Sequence, residues 1–230
     1  MSGPRSAWTR PVWHVFAVLA AVHLAAQLAD RSALADLTQV LLMPALALAV
    51  VTSGVRGRIV RDVLLALALS WLGDSLPKLL AGDVAFVVML GCFLLALSAY
   101  SAAFYPLWRA APPAGLSRFW PIAIYAEVAV VIIGLCVLAG GILVLPAAVY
   151  AVVLCVTAVL ATGLGVYGTV GGALFVVSDG LIGVRDLAGV TIPLDGFLVM
   201  STYIAAQALL VAGALRAARR GEPIISEPGR

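Results

Sequence analysis

Eight apolar stretches, at 13–29, 35–53, 60–81, 84–105, 120–139, 142–162, 169–185 and 197–215, occupy most of this 230-residue chain. A bilayer core takes about 20 apolar residues per helix, and each stretch comes close to that length. Inside lipid every backbone N–H and C=O must be bonded, which a helix does within its own segment. The pattern therefore predicts an all-α protein, a polytopic transmembrane helical bundle of eight spans forming one domain, 1–230. Composition agrees, because 63% hydrophobic and 11% charged residues with a mean hydropathy of +1.13 exceed what a single soluble core needs.

Breakers fall between the stretches: Gly54 and Gly57 with Arg56 and Arg58, Gly82-Asp83, Pro112-Pro113-Ala114-Gly115, Gly140-Gly141, Gly163 to Gly168, and Pro193 to Gly196. Only the glycine pair separates the fifth and sixth spans, which predicts a tight helical hairpin there.

Basic residues are retained on the cytoplasmic side during insertion. With the N-terminus inside, eleven of the fourteen fall in cytoplasmic segments, and only Arg31, Lys78 and Arg185 fall opposite. An even span count preserves this alternation, so both termini are expected in the cytoplasm. Thirteen of the fourteen are Arg, which reads as the coding bias of a high-GC bacterial genome and points to a bacterial cytoplasmic membrane. A competing reading takes Arg5, Arg10 and the run ending near Ala33-Leu34-Ala35 as a cleaved secretory signal, leaving seven spans. The net charge of +3 is dispersed between apolar runs, a topology signal rather than a nucleic-acid patch. Cys92, Cys136 and Cys155 are odd in number, lie within apolar runs and lack metal-ligand spacing, so neither a disulfide nor a cysteine metal site is expected. His14 and His23 are too few for a three-histidine zinc site, and no metal or cofactor is expected.

An ionisable group within a span costs at least about 2.5–3.5 kcal/mol at the helix centre, so each one present needs a reason. The acidic ones are Asp74, Glu127 and Asp179. Trp71-Leu72-Gly73-Asp74-Ser75-Leu76, late in the third span, resembles Val176-Val177-Ser178-Asp179-Gly180-Leu181, late in the seventh. That suggests a parallel four-plus-four repeat in which the two aspartates are equivalent. Both spans run outward, so both carboxyls sit in the outer half of the membrane, where two of them in one cavity would divide acid and base roles. The plainer alternative is that each aspartate only bonds a neighbouring helix, with Lys78, one turn beyond Asp74, as an ion-pair partner. Pro77 in a continuing helix would free the carbonyl of Gly73 beside Asp74. Glu127 reads as structural, and His23 as a group assisting the aspartates or as an interhelical bond.

The motifs together resemble the YhhN family of eight-span membrane proteins, whose characterised members are lysoplasmalogenases. They are Leu72-Gly73-Asp74-Ser75-Leu76, Leu145-Pro146 with Tyr150, Gly172-Ala173-Leu174-Phe175 leading to Ser178-Asp179, and Tyr203-Ile204-Ala205-Ala206-Gln207. The sequence departs from the family's pattern at two places. Leu97 stands where a histidine is common three residues before the tyrosine of the fourth span, here Tyr100, and Gln39 stands where a lysine is common before Met43-Pro44.

The resemblance implies hydrolysis of the vinyl ether bond of a lysoplasmalogen to a fatty aldehyde and glycerophospho-ethanolamine or glycerophospho-choline. Asp74 and Asp179 are then the catalytic candidates, one delivering a proton and the other orienting water. Ser75, Tyr150, Ser178, Tyr203 and Gln207 are candidate hydrogen-bond donors to the lipid or the water, Lys78 and Arg185 candidate phosphate contacts, and His23, Gln39 and Tyr100 candidate assisting groups. The expected partners are the bilayer and a lysophospholipid. Two other readings stay open: a small-solute or proton-coupled transporter, since intramembrane carboxylates and paired repeats also serve carriers, and a catalytically silent family member.

Overall fold

The computed structural model describes residues 6–111, 119–140, 144–186 and 189–221. Among them the chain forms eight α-helices: α1 Ser6–Leu28, α2 Ser32–Thr52, α3 Arg58–Ser75, α4 Gly82–Ala110, α5 Phe119–Ala139, α6 Val144–Ala161, α7 Val166–Asp186 and α8 Asp195–Arg219. Each coincides with one expected stretch, because a run of this length and apolarity has no other way to bond its backbone away from water. Six of them, α1, α2, α4, α6, α7 and α8, are long and apolar enough to cross a membrane. This is a multi-pass membrane architecture. Of the other two, α3 is distinguished by composition, carrying Arg58, Arg61, Asp62 and Asp74 within eighteen residues.

The breakers end helices where expected. Gly57 precedes α3 at φ +138°, and Gly165 precedes α7 at φ +70°, backbone values that L side chains rarely adopt. Residues 112–115 and Gly141, two of the expected loop signals, lie outside the described residues. Gly140 turns at φ +71°, and α5 packs on α6 as the hairpin expectation required. One expectation fails in detail. The third stretch is not one helix to residue 81: α3 stops at Ser75, and Pro77 opens a 3-10 turn, Leu76–Leu79. A proline one or two residues into a new turn needs no backbone donor, so it ends α3 instead of kinking it.

Sequence neighbours pack against each other except α4 and α5, α4 lying instead against α6, and α8 closes the bundle by touching α1, α2, α3 and α7. Most of α8 is therefore buried and little of α1. The core holds Leu42, Met43, Leu46, Leu67, Leu97, Tyr100, Phe104, Phe175 and Leu210, all fully buried. Val15, Val18, Leu37, Leu41, Val130, Leu138 and Leu145 point outward, where lipid rather than water suits them.

Close helix contact depends on glycine at a few places. A Cβ on Gly168 of α7 would lie 1.8 Å from the Ala161 carbonyl oxygen, and one on Gly73 of α3 would lie 2.8 Å from the Phe93 ring of α4. The second contact matters for the site. Phe93 meets Tyr203 of α8 edge-on at 5.8 Å between ring centroids, and Phe175 of α7 meets the same tyrosine at 5.8 Å from another side. Gly73 lets Phe93 approach, and the two phenylalanines fix the Tyr203 ring.

Candidate functional site

Helical periodicity sets which side chains converge. On α2, Asp36, Gln39 and Met43 fall one turn apart, as do Ser70, Asp74 and Lys78 across the end of α3, and Met200, Tyr203 and Gln207 on α8. On α7, Ser178, Asp179, Ile182 and Arg185 share one side. These faces enclose a cavity of about 340 Å³ lined by Gln39, Asp74, Lys78, Ser178, Asp179, Arg185 and Tyr203, with Phe93 and Met200 as apolar wall. The two aspartates, 105 positions apart in the sequence, thus line one space.

Each carboxylate has its own donors. Asp74 is buried; its Oδ1 accepts from Gln39 Nε2 at 3.1 Å and its Oδ2 from the Tyr203 hydroxyl at 2.9 Å. Asp179 is half-buried, and its Oδ2 accepts from the Tyr150 hydroxyl of α6. Among the described residues Asp179 Oδ1 has no protein donor. Both oxygens of Asp74 are therefore satisfied as a carboxylate, whereas Asp179 keeps one oxygen able to carry a proton into the cavity.

Lys78 does not pair with Asp74. Its ammonium donates to Gln39 Oε1 at 3.0 Å and forms an ion pair with Asp36 on α2, so it reaches Asp74 only through the Gln39 amide. The 3-10 turn after α3 swings Lys78 toward α2 rather than leaving it stacked above Asp74, as a continuing helix would have done. Arg185 grips Asp186 with two bonds, 2.6 and 3.1 Å, and Asp195 at 3.1 Å, joining the end of α7 to the start of α8. Both cations stand on the cavity lining with carboxylates already beside them.

Several expected residues lie elsewhere. His23 is fully buried at the α1–α2 contact, where Nδ1 meets the Ala35 carbonyl at 3.1 Å and the Thr38 hydroxyl at 2.9 Å; it joins two helices and does not line the cavity. Tyr100 and Gln207 form a layer beneath the site: the Tyr100 hydroxyl donates to Gln207 Oε1, and Gln207 Nε2 donates to Ser70 at 3.2 Å. The Ser75 hydroxyl is buried without a partner and off the cavity wall. Ser178 lines the cavity but donates its hydroxyl to the Val199 carbonyl at 3.1 Å. Leu97 is fully buried and contributes nothing to the lining. Glu127 is exposed on α5.

Gln27, Asp36, Phe93 and Asp195 were missed by sequence reasoning. Asp36 sits one turn before Gln39, a spacing readable in the chain. Gln27 and Phe93 carry no such signal, since nothing local says which side of α1 or α4 turns inward.

A second, almost wholly apolar cavity of about 80 Å³ adjoins the first between α4, α5, α6 and α7, and Met89, Phe93, Asp179 and Ile182 line both. The arrangement is two carboxylates, each hydrogen-bonded to a phenol, in a space that Lys78 and Arg185 also line and that adjoins an apolar recess at Asp179.

No curated protein and no solved structure matches the chain. The YhhN family model matches residues 34–214, from the start of α2 into α8 and across every residue that binds the two aspartates. The chain belongs to the YhhN family.

Proposed function

We propose that this protein is a membrane-embedded lysoplasmalogenase-like hydrolase that cleaves the vinyl ether bond of a lysoplasmalogen into a fatty aldehyde and glycerophospho-ethanolamine or glycerophospho-choline. One observation carries the reading: Asp74 and Asp179 line the same cavity, each held by donors from other helices. Family membership is consistent with it.

The reaction needs an acid, an anion and a placed water. Asp179, whose Oδ1 accepts from no side chain, protonates the alkenyl carbon one bond away from the ether-bearing carbon, leaving an oxocarbenium ion. Asp74 remains a carboxylate, faces that cation and takes a proton from the water that adds to it. The hemiacetal then collapses: Asp179 takes its hydroxyl proton, the carbon–oxygen bond to glycerol breaks as Asp74 gives its proton to the glycerol oxygen, the glycerol leaves as an alcohol, and the chain leaves as the aldehyde. One water is consumed and both carboxyls return to their starting states. The headgroup phosphate meets Lys78 and Arg185 in exchange for part of their contact with Asp36 and Asp195.

In the same reading the chain spans the bacterial cytoplasmic membrane eight times, α3 and α5 included, with both termini inside and a four-plus-four repeat relating Asp74 to Asp179. A transporter would call for a helix interrupted at matching depth in both halves. Here α3 breaks beside Asp74, while α7 runs unbroken past Asp179 from Val166 to Asp186, which favours the hydrolase.

Replacing Asp179 or Asp74 with Asn tests the proposal. In detergent, without any ion gradient, the wild type should release aldehyde from a lysoplasmalogen. Each variant should lose about 10²–10⁴-fold in kcat, the usual worth of a positioned acid or base. Unchanged turnover in both variants removes the catalytic assignment.

A further inference from the structure

The five glycines of α7 separate into two kinds. On Gly168, Gly171 and Gly172 an added Cβ would fall within about 3 Å of Ala161, Leu210 and Ala158, so close packing requires them. On Gly180 and Gly183 it would meet nothing within 4 Å. Glycine inside a helix costs roughly 0.5–1 kcal/mol relative to Ala, and no helix contact explains these two. Both line the apolar cavity, with Phe86, Leu90, Ile132 and Leu154 opposite.

That cavity meets the polar one at Asp179. A lysolipid has the same division, a charged head and one hydrocarbon chain joined at the ether oxygen. We propose that the recess between α4, α5, α6 and α7 is the subsite for the hydrocarbon chain of a single-chain ether phospholipid, and that Gly180 and Gly183 keep it open. The subsite rests on the hydrolase reading for its ligand class.

A chain lying there with its head toward Lys78 and Arg185 brings the bond between them to Asp179, on the chain side, where the carbon to be protonated lies. Asp74, bonded to Gln39 and Tyr203 in the polar cavity, is left facing the ether-bearing carbon that water attacks. The order of the two acids thus follows from how the lipid must enter.

The test uses a non-hydrolysable probe, an alkyl-ether lysophosphoethanolamine carrying a diazirine in its chain a few carbons from the ether. Photolysis of the full-length protein in mixed micelles should label residues of the recess, Phe86, Leu90, Ile132 or Leu154. Gly183→Leu should reduce that labelling about tenfold or more, as filling a packed site does, and Gly183→Ala should reduce it less. In the hydrolysis assay the same order of variants should hold for kcat/KM.

Labelling confined to outward positions such as Val130 or Leu138, or labelling of the recess indifferent to Gly183→Leu, overturns the subsite. Because the probe is not cleaved, these outcomes are independent of catalysis. Recess labelling that obeys the variants, in a protein that releases no aldehyde, would uphold the subsite and reject the hydrolase reading.

Discussion

Asp74 and Asp179 differ in what holds them, and the difference sets what each neighbour is worth. The Tyr150 hydroxyl binds Asp179, whereas Asp74 has both the Gln39 amide and the Tyr203 hydroxyl. A hydrogen bond to a charged group is worth about 1.5–3 kcal/mol, so losing one transition-state partner lowers the rate by about 10–100-fold. Tyr150→Phe should therefore reduce kcat by about that factor with little change in KM, because its hydroxyl touches the carboxyl and not the lipid. Tyr203→Phe should fall less, Gln39 remaining on Asp74. Steady-state kinetics on one lysoplasmalogen series separates the two, and an equal loss in both variants would contradict the assignment of unequal support. Gln39, which stands where the family commonly has a lysine, bridges the two groups: its amide nitrogen donates to Asp74 and its carbonyl accepts from Lys78.

Among the elements, α7 and α8 do most to shape the site, and small residues let them. Gly168 allows the start of α7 to lie against the end of α6, with a Cβ there only 1.8 Å from a backbone oxygen that cannot move away without the helix. Gly168→Ala should lower thermal stability in detergent by about 1–3 kcal/mol, the usual cost of overpacking. Gly91→Ala on α4 has open space and should be neutral or slightly stabilising through helix propensity. Thermal unfolding of the two variants side by side checks the pair. At the far end of α7, Arg185 with Asp186 and Asp195 joins α7 to α8 across the loop. This pins the cavity wall at the point where Ser178 and Val199 are also bonded.

Over the whole molecule, the bundle surrounds a polar pocket with apolar surface, and the charged residues collect at helix ends. The eight-span proposal predicts that reporters fused to the N-terminus and to the C-terminus both show cytoplasmic activity in bacterial cells. A reporter placed after Asp30, between α1 and α2, should show the opposite side. A C-terminal reporter on the outer side would mean an odd number of crossings from a cytoplasmic N-terminus, as a non-spanning α3 or α5 would produce.

The helical class, the helix positions and the candidate status of the two aspartates were legible in the chain, because each follows from a local quantity. Apolar run length decides what can cross lipid, glycine and proline decide where a helix ends, and the cost of a charge in lipid singles out Asp74 and Asp179. Which groups hold those carboxylates was not legible. Gln39 and Tyr203 lie 35 and 129 positions from Asp74, and Tyr150 lies 29 from Asp179. Only helix packing decides which faces meet. The same packing sends His23 to Thr38 and turns Lys78 to Asp36 after α3 stops short. It also joins the apolar recess to the polar cavity at Asp179. A single side chain's burial cost can be reckoned from its own position; a cavity belongs to several helices at once and exists only when they are assembled.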